Sequence, residues 1–112
     1  MRTEDRIDTE SFRKIGNAWK HPTTGEMRYY INDAWKYGGL ELDFYNTGNI
    51  CTSYYLGEKI SHSKAGRMRN AVGKCWITED GEVHVKPGYT EFPEFIERVR
   101  DGIRKALQEM IE

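Results

Sequence analysis

Phe92-Pro93-Glu94-Phe95-Ile96-Glu97-Arg98-Val99-Arg100-Asp101-Gly102-Ile103-Arg104-Lys105-Ala106-Leu107-Gln108-Glu109-Met110 is the stretch that decides the fold class. Phe92, Phe95, Ile96, Val99, Ile103, Leu107 and Met110 recur at steps of three and four, the period that lines one face of an α-helix. Thr90 is placed to cap this helix and Pro93 to sit in its first turn. Glu91, Glu94 and Glu97 suit the positive end of the helix dipole, and Arg104 and Lys105 follow further along. An apolar stripe of this length must be buried, and the rest of the chain reads as the sheet that buries it.

Three hairpins are expected upstream. The first runs from Phe12 to Lys20, turns over His21-Pro22-Thr23-Thr24-Gly25 and returns over Glu26 to Ile31, with Met27, Tyr29 and Ile31 on one face and Arg28, Tyr30 and Asn32 on the other. Asn32 and Asp33 then cap a single helical turn over Ala34 to Tyr37, which Gly38-Gly39 stops. The second hairpin pairs Leu40–Tyr45 with Ile50–Leu56 across Asn46-Thr47-Gly48-Asn49. Gly57 breaks it, and Ser61-His62-Ser63 caps a short basic helix over about Lys64 to Val72, limited by Gly66 and ended by Gly73. The third hairpin joins Lys74–Thr78 to Val83–Lys86 through a tight two-residue Asp80-Gly81 turn. The expected fold is α+β, with one antiparallel sheet of about six strands covered on one face by the C-terminal helix.

The 112 residues make one domain. Residues 1–11 read as a flexible tail and 12–112 as the folded body. Seventeen Lys and Arg against eighteen Asp and Glu give a charge of −1, so no global field draws the molecule onto nucleic acid or anionic lipid. Met1-Arg2-Thr3-Glu4-Asp5 is charged from the start and no apolar run approaches the roughly 20 residues of a membrane span. The expectation is a cytoplasmic protein. Cys51 and Cys75 form no CxxC and read as two reduced strand thiols.

Charge is distributed unevenly. Lys59, Lys64, Arg67, Arg69 and Lys74 fall in one run that contains His62 and no acid, whereas residues 1–10 and 88–112 each sum to −2. A cation cluster at the start of a short helix can hold phosphates, although a solvated basic face balancing the acidic segments is the plainer reading. Seven tyrosines include the doublets Tyr29-Tyr30 and Tyr54-Tyr55, and alternation sends one of each pair to each face. On an open sheet face, Tyr30 beside Arg28 could stack bases or anchor a protein partner. Catalysis would need Ser61 or Ser63 with His62, or Cys75 with His84, and adjacent residues of a strand or turn point apart. No spacing among Cys51, Cys75, His62 and His84 reads as a metal site, and no cofactor motif is present. A RNA-recognition-motif consensus is absent as well.

The run Lys14-Ile15-Gly16-Asn17-Ala18-Trp19-Lys20-His21-Pro22-Thr23-Thr24-Gly25-Glu26-Met27-Arg28-Tyr29-Tyr30-Ile31-Asn32-Asp33 resembles, in its tryptophan- and tyrosine-rich hairpin, small phage and mobile-element proteins of Gram-positive bacteria. These include anti-CRISPR-type inhibitors. The resemblance implies a non-enzymatic protein without cofactor that inhibits a host nucleoprotein or defence nuclease by binding its surface or guide RNA. The balanced charge argues against DNA mimicry. The expected interface is Lys59, Lys64, Arg67, Arg69 and Lys74, with Arg28 and Tyr30 as neighbours. The second expectation is a protein–protein adaptor or homodimer that does not bind nucleic acid.

Overall fold

The computed structural model describes residues 9–44, 51–86, 88 and 90–110. The chain is α+β, and its described residues form two antiparallel sheets and three α-helices. The elements run α1 (Thr9–Ile15), β1 (Gly16–Lys20), β2 (Met27–Ile31), a 3-10 turn (Ala34–Gly38), β3 (Leu40–Phe44), β4 (Cys51–Tyr55), β5 (Glu58–Ile60), α2 (His62–Ala71), β6 (Cys75–Thr78), β7 (Val83–Val85) and α3 (Pro93–Met110). Four strands form one sheet in the order β1-β2-β6-β7, and three form a second in the order β3-β4-β5.

The single six-stranded sheet is therefore corrected. The first and third hairpins merge through β2–β6 pairing, with Tyr29 opposite Ile77 and Tyr30 opposite Trp76. Each face of that junction thus gains an aromatic cross-strand pair, a contact type worth roughly 0.2–1 kcal/mol. The second hairpin is turned out of this sheet by the 3-10 turn, whose flanking Asp33 and Gly39 both have positive φ. Asp33 sits in the cap position without a side-chain cap bond, so the expected Asx cap is not made there.

Three further boundaries differ from expectation. The strand expected from Phe12 is helical as far as Ile15, because Phe12 and Ile15 stand three apart and bury one helix face together with Ser11. Glu10 in its first turn and Arg13 and Lys14 in its last match the dipole. Gly57 does not end the second hairpin but makes a two-residue turn with Leu56. Both residues have positive φ, as a type I′ turn requires, and the chain returns as β5. The loop between β6 and β7 has four residues, Glu79 to Glu82, rather than two, with Gly81 at positive φ donating its N–H to Thr78 O at 2.9 Å. Its Asp80 carboxylate accepts from the Thr78 hydroxyl and from Glu82 N, which hold it below the usual carboxylate range. Pro93 opens α3, which places the cap position at Phe92 rather than Thr90. The flexible tail expected over residues 1–11 is corrected at its end, where residues 9–11 belong to α1 and Ser11 is buried; residues 1–8 and the turn over residues 46–49 lie outside the described residues.

α3 buries Phe95, Ile96, Val99, Ile103 and Leu107, each contributing roughly 1.5–3 kcal/mol of transfer free energy. They join Phe12, Tyr29, Ile31, Leu40, Met68, Val72 and Ile77 in one core. The helix lies closest to the 3-10 turn and also touches β7 and α1. Two glycines permit that approach. A Cβ on Gly38 would stand 2.7 Å from Phe95 and Val99 side chains, and one on Gly102 would overlap the Tyr37 carbonyl oxygen. Gly66 in α2, by contrast, has nothing within 4 Å of where a Cβ would project.

The two helical glycines should consequently respond in opposite directions. Gly66→Ala is expected to stabilise by about 0.5–1 kcal/mol through helix propensity alone. Gly102→Ala is expected to destabilise by about 1–3 kcal/mol through overpacking. Denaturant titration of both variants checks this, and a stabilised Gly102→Ala would contradict the crossing.

Candidate nucleic-acid interface

Strand alternation gives the four-stranded sheet two unlike faces. Tyr29, Ile31, Cys75, Ile77 and Val83 point into the core. The opposite face carries Asn17 and Trp19 from β1, Arg28 and Tyr30 from β2, Trp76 and Thr78 from β6, and His84 from β7. Lys74 joins this face, because the bond from Lys86 N to Lys74 O at 3.0 Å extends the β6–β7 ladder by one rung. The expected placement of Met27, Tyr29 and Ile31 against Arg28 and Tyr30 holds.

Register turns this face into a grid. Asn17, Tyr30, Trp76 and His84 stand opposite one another across all four strands, and Trp19 stands opposite Arg28 in the next row. The rings form a continuous chain. Trp19 meets Tyr30 edge-on at 6.0 Å, Tyr30 meets Trp76 at 5.7 Å, and Trp76 stacks on His84 at 5.5 Å with only 13° between planes. His21 closes the outer end against Trp19 at 5.5 Å. Trp19 remains 43% exposed, which is unusual for so large an apolar side chain.

Arg28 is fixed within this face. Its Nε and Nη2 donate to Glu26 Oε2, each at 3.2 Å, its Nη1 donates to the Tyr30 hydroxyl at 3.4 Å, and its guanidinium carbon lies 4.6 Å from the Trp76 ring centre. The bond to Tyr30 and the Glu26 charge raise its pKa above the ordinary value, so it is a permanent cation. Trp76 lies between Arg28 and His84, since β2 and β7 flank β6 on opposite sides. Among the described residues its indole Nε1 is buried with no hydrogen-bond partner, a cost of roughly 1–3 kcal/mol.

The seven residues singled out from sequence separate into groups. Lys74, Tyr30 and Arg28 come together on this face. Lys59 is on β5 opposite Tyr54. Lys64, Arg67 and Arg69 are exposed on α2. Arg67 pairs with Glu91 at 3.4 Å and lies 6.0 Å over the Phe92 ring. Lys64 borders a groove of about 310 Å³ shared with Glu91, Glu94, Met68, Phe92 and Phe95, so acids from α3 and its approach offset this part of the basic run. Trp19, Trp76 and Asn17 are not among the residues the sequence points to, and His84 figures there only as a partner for Cys75 and a weighed metal ligand. Their alternation was legible, but their alignment required knowing that β2 pairs with β6.

The Cys75–His84 pair weighed for catalysis is not assembled. Cys75 is buried on the core face while His84 is exposed on the other. Ser61 Oγ is occupied as the cap of α2, accepting from Lys64 N at 3.1 Å. Among the described residues, no three His, Cys, Asp or Glu side chains are grouped to hold a metal ion, and no helix is long and apolar enough to cross a membrane. Comparison with protein-family models, curated proteins and solved structures gives no match.

Burial pushes the Cys75 thiol up to about 12, with Arg100 pulling weakly the other way. Its thiolate fraction at neutral pH is then below about one part in ten thousand. In a Cys51→Ser protein, where Cys75 is the only thiol, iodoacetamide should fail to label the native state and label fully in denaturant. Rapid native labelling would contradict the burial of β6.

Proposed function

We propose that this chain is a non-enzymatic binding protein that takes single-stranded nucleic acid, RNA in first place, on the open face of β1-β2-β6-β7. The supporting observation is the ring chain Trp19–Tyr30–Trp76–His84 with Arg28 and Lys74 beside it, on a face that no described helix covers. Open sheets use such rings to stack two or three bases, each stack being worth roughly 1–3 kcal/mol. Trp76 is already flanked by Arg28 and His84, which leaves Trp19, Tyr30 and the outer side of His84 as contact surfaces. Arg28 has two N–H donors left after Glu26 and Tyr30 are served, and these, with Lys74, suit phosphate oxygens.

The balance of forces follows from the grid. Two cations stand among the rings, so stacking supplies most of the affinity and phosphate neutralisation the smaller part. The resemblance of residues 14–33 to mobile-element inhibitors suggests the setting: occupation of the guide or transcript of a host nucleoprotein such as a defence nuclease. A stacking sheet with little net charge suits a target that already carries its own protein, because it does not compete for the whole phosphate backbone.

Fluorescence anisotropy against a labelled single-stranded RNA tests the reading. Two neutralised phosphates predict a log–log salt slope of about −1.4, whereas five would give about −3.5. Trp19→Ala should weaken binding by about tenfold or more. Arg67→Glu with Arg69→Glu should leave it within about twofold. Loss confined to the α2 double variant would move the interface to the basic helix, and no binding to any single strand would overturn the reading in favour of a protein partner.

A further inference from the structure

β1 is an edge of the four-stranded sheet, and among the described residues no strand pairs with its outer side. Which of its groups face outward follows from the bonds at either end of the β1–β2 ladder. Asn32 N donates to Ile15 O at 3.0 Å and His21 N to Glu26 O at 2.8 Å, so the odd positions of β1 bond to β2. Gly16 O, Ala18 N and O, and Lys20 N therefore project away from the sheet. Asn17, Ala18, Trp19 and Lys20 are all exposed.

The other described edges are guarded in ways that β1 is not. β5 and β7 are three residues long, and β3 carries Glu41 and Asp43. Short strands and charged side chains are the usual devices against edge pairing. β1 has five residues, no proline, no acid and a single charge, Lys20, at its end.

The outward groups of β1 are complementary to themselves. A two-fold axis perpendicular to the sheet at Ala18 sets Ala18 against Ala18 of a second copy, each donating to and accepting from the other. The same axis lets each Lys20 N–H reach the other copy's Gly16 oxygen. Side chains suit that register. Each lysine stands opposite a glycine rather than the other lysine, and the two alanines leave room at the axis. On the open face Trp19 stands opposite Asn17 of the second copy, in a pair without mutual backbone bonds, where side chains come closest. The two Trp19 residues then lie on the diagonal between such pairs, about 7–8 Å apart and within reach of aromatic rings. That contact covers part of a side chain that a single copy leaves 43% exposed.

We infer that β1 pairs antiparallel with β1 of a second copy across this axis, making one eight-stranded sheet in which the two rows of rings meet at Trp19. The dimer is a weak one, because five residues a side fall short of the roughly 800 Å² per partner of a stable interface. The inference is independent of what the open face binds.

Sedimentation equilibrium of the full chain without nucleic acid, from micromolar to millimolar concentration, tests it. The average mass should climb from 13.1 kDa toward twice that value. Ala18→Pro removes an N–H that has no partner within the sheet, so the circular-dichroism spectrum should be unchanged while dimer affinity falls by about tenfold or more. Ala18→Lys, which sets like charges opposite each other at an exposed position, should weaken the dimer as well and decides the matter if the proline variant fails to fold. Trp19→Ala should cost about tenfold. Arg67→Glu with Arg69→Glu, on α2, should leave the affinity within about twofold of wild type. A mass that stays at 13.1 kDa up to millimolar concentration, or a dimer that Ala18→Lys leaves at wild-type affinity, would overturn the inference.

Discussion

The crossing of α3 over the 3-10 turn is the contact on which the rest of the structure depends. Gly38 and Gly102 bring the two backbones close enough that neither position tolerates a side chain. That proximity lets Phe95 and Val99 close over the turn and lets Ile103 and Leu107 reach the common core. It also fixes the 3-10 turn, and with it the change of direction that sends β3 into a second sheet. The turn is held again from the far side, where Leu56 N donates to Gly39 O at 3.1 Å. A helix seated here commits the inner face of the four-stranded sheet to the core, and no described helix covers the outer face.

The proposed binding surface follows from that one-sidedness. Alternation alone would scatter aromatic and charged residues over the outer face. The β2–β6 register aligns them, because it sets Tyr30 against Trp76 while β6–β7 sets Trp76 against His84. Arg28 is then locked by Glu26 and Tyr30 rather than free to snorkel into solvent, which preorganises the face. A buried indole N–H without a partner among the described residues and a large exposed tryptophan are both unfavourable for stability alone. Their occurrence on one face, around one row of rings, supports a binding role for that row.

Much of the architecture was legible locally. The spacing of Phe95, Ile96, Val99, Ile103 and Leu107 permits only a helix with one buried side, and the β1–β2 and β6–β7 hairpins follow from alternation and turn residues. α1 carried its own signal in the three-residue step from Phe12 to Ile15, which a strand beginning at Phe12 would have placed on opposite faces. β5 gave little warning, since a leucine at positive φ is strained and nothing in the sequence marks Leu56 as half of a type I′ turn. Strand order was the larger gap. Pairing of β2 with β6 joins residues far apart in sequence, and no local pattern distinguishes it from pairing with β3. The site inherited that gap: the Lys59–Lys74 run was visible as charge, whereas the Glu91 that pairs with Arg67 and the rings that surround Lys74 come from elsewhere in the chain.

The open face of β1-β2-β6-β7 is the proposed binding surface. Backbone amide chemical-shift mapping of the full chain, titrated with a short single-stranded RNA, tests it most directly. Shifts concentrated at residues 16–20, 27–31 and 74–78 and at His84 are expected, with α2 and the exposed side of α3 unmoved. Shifts confined to α2 and the groove beside Phe92, or none at saturating RNA, would contradict it.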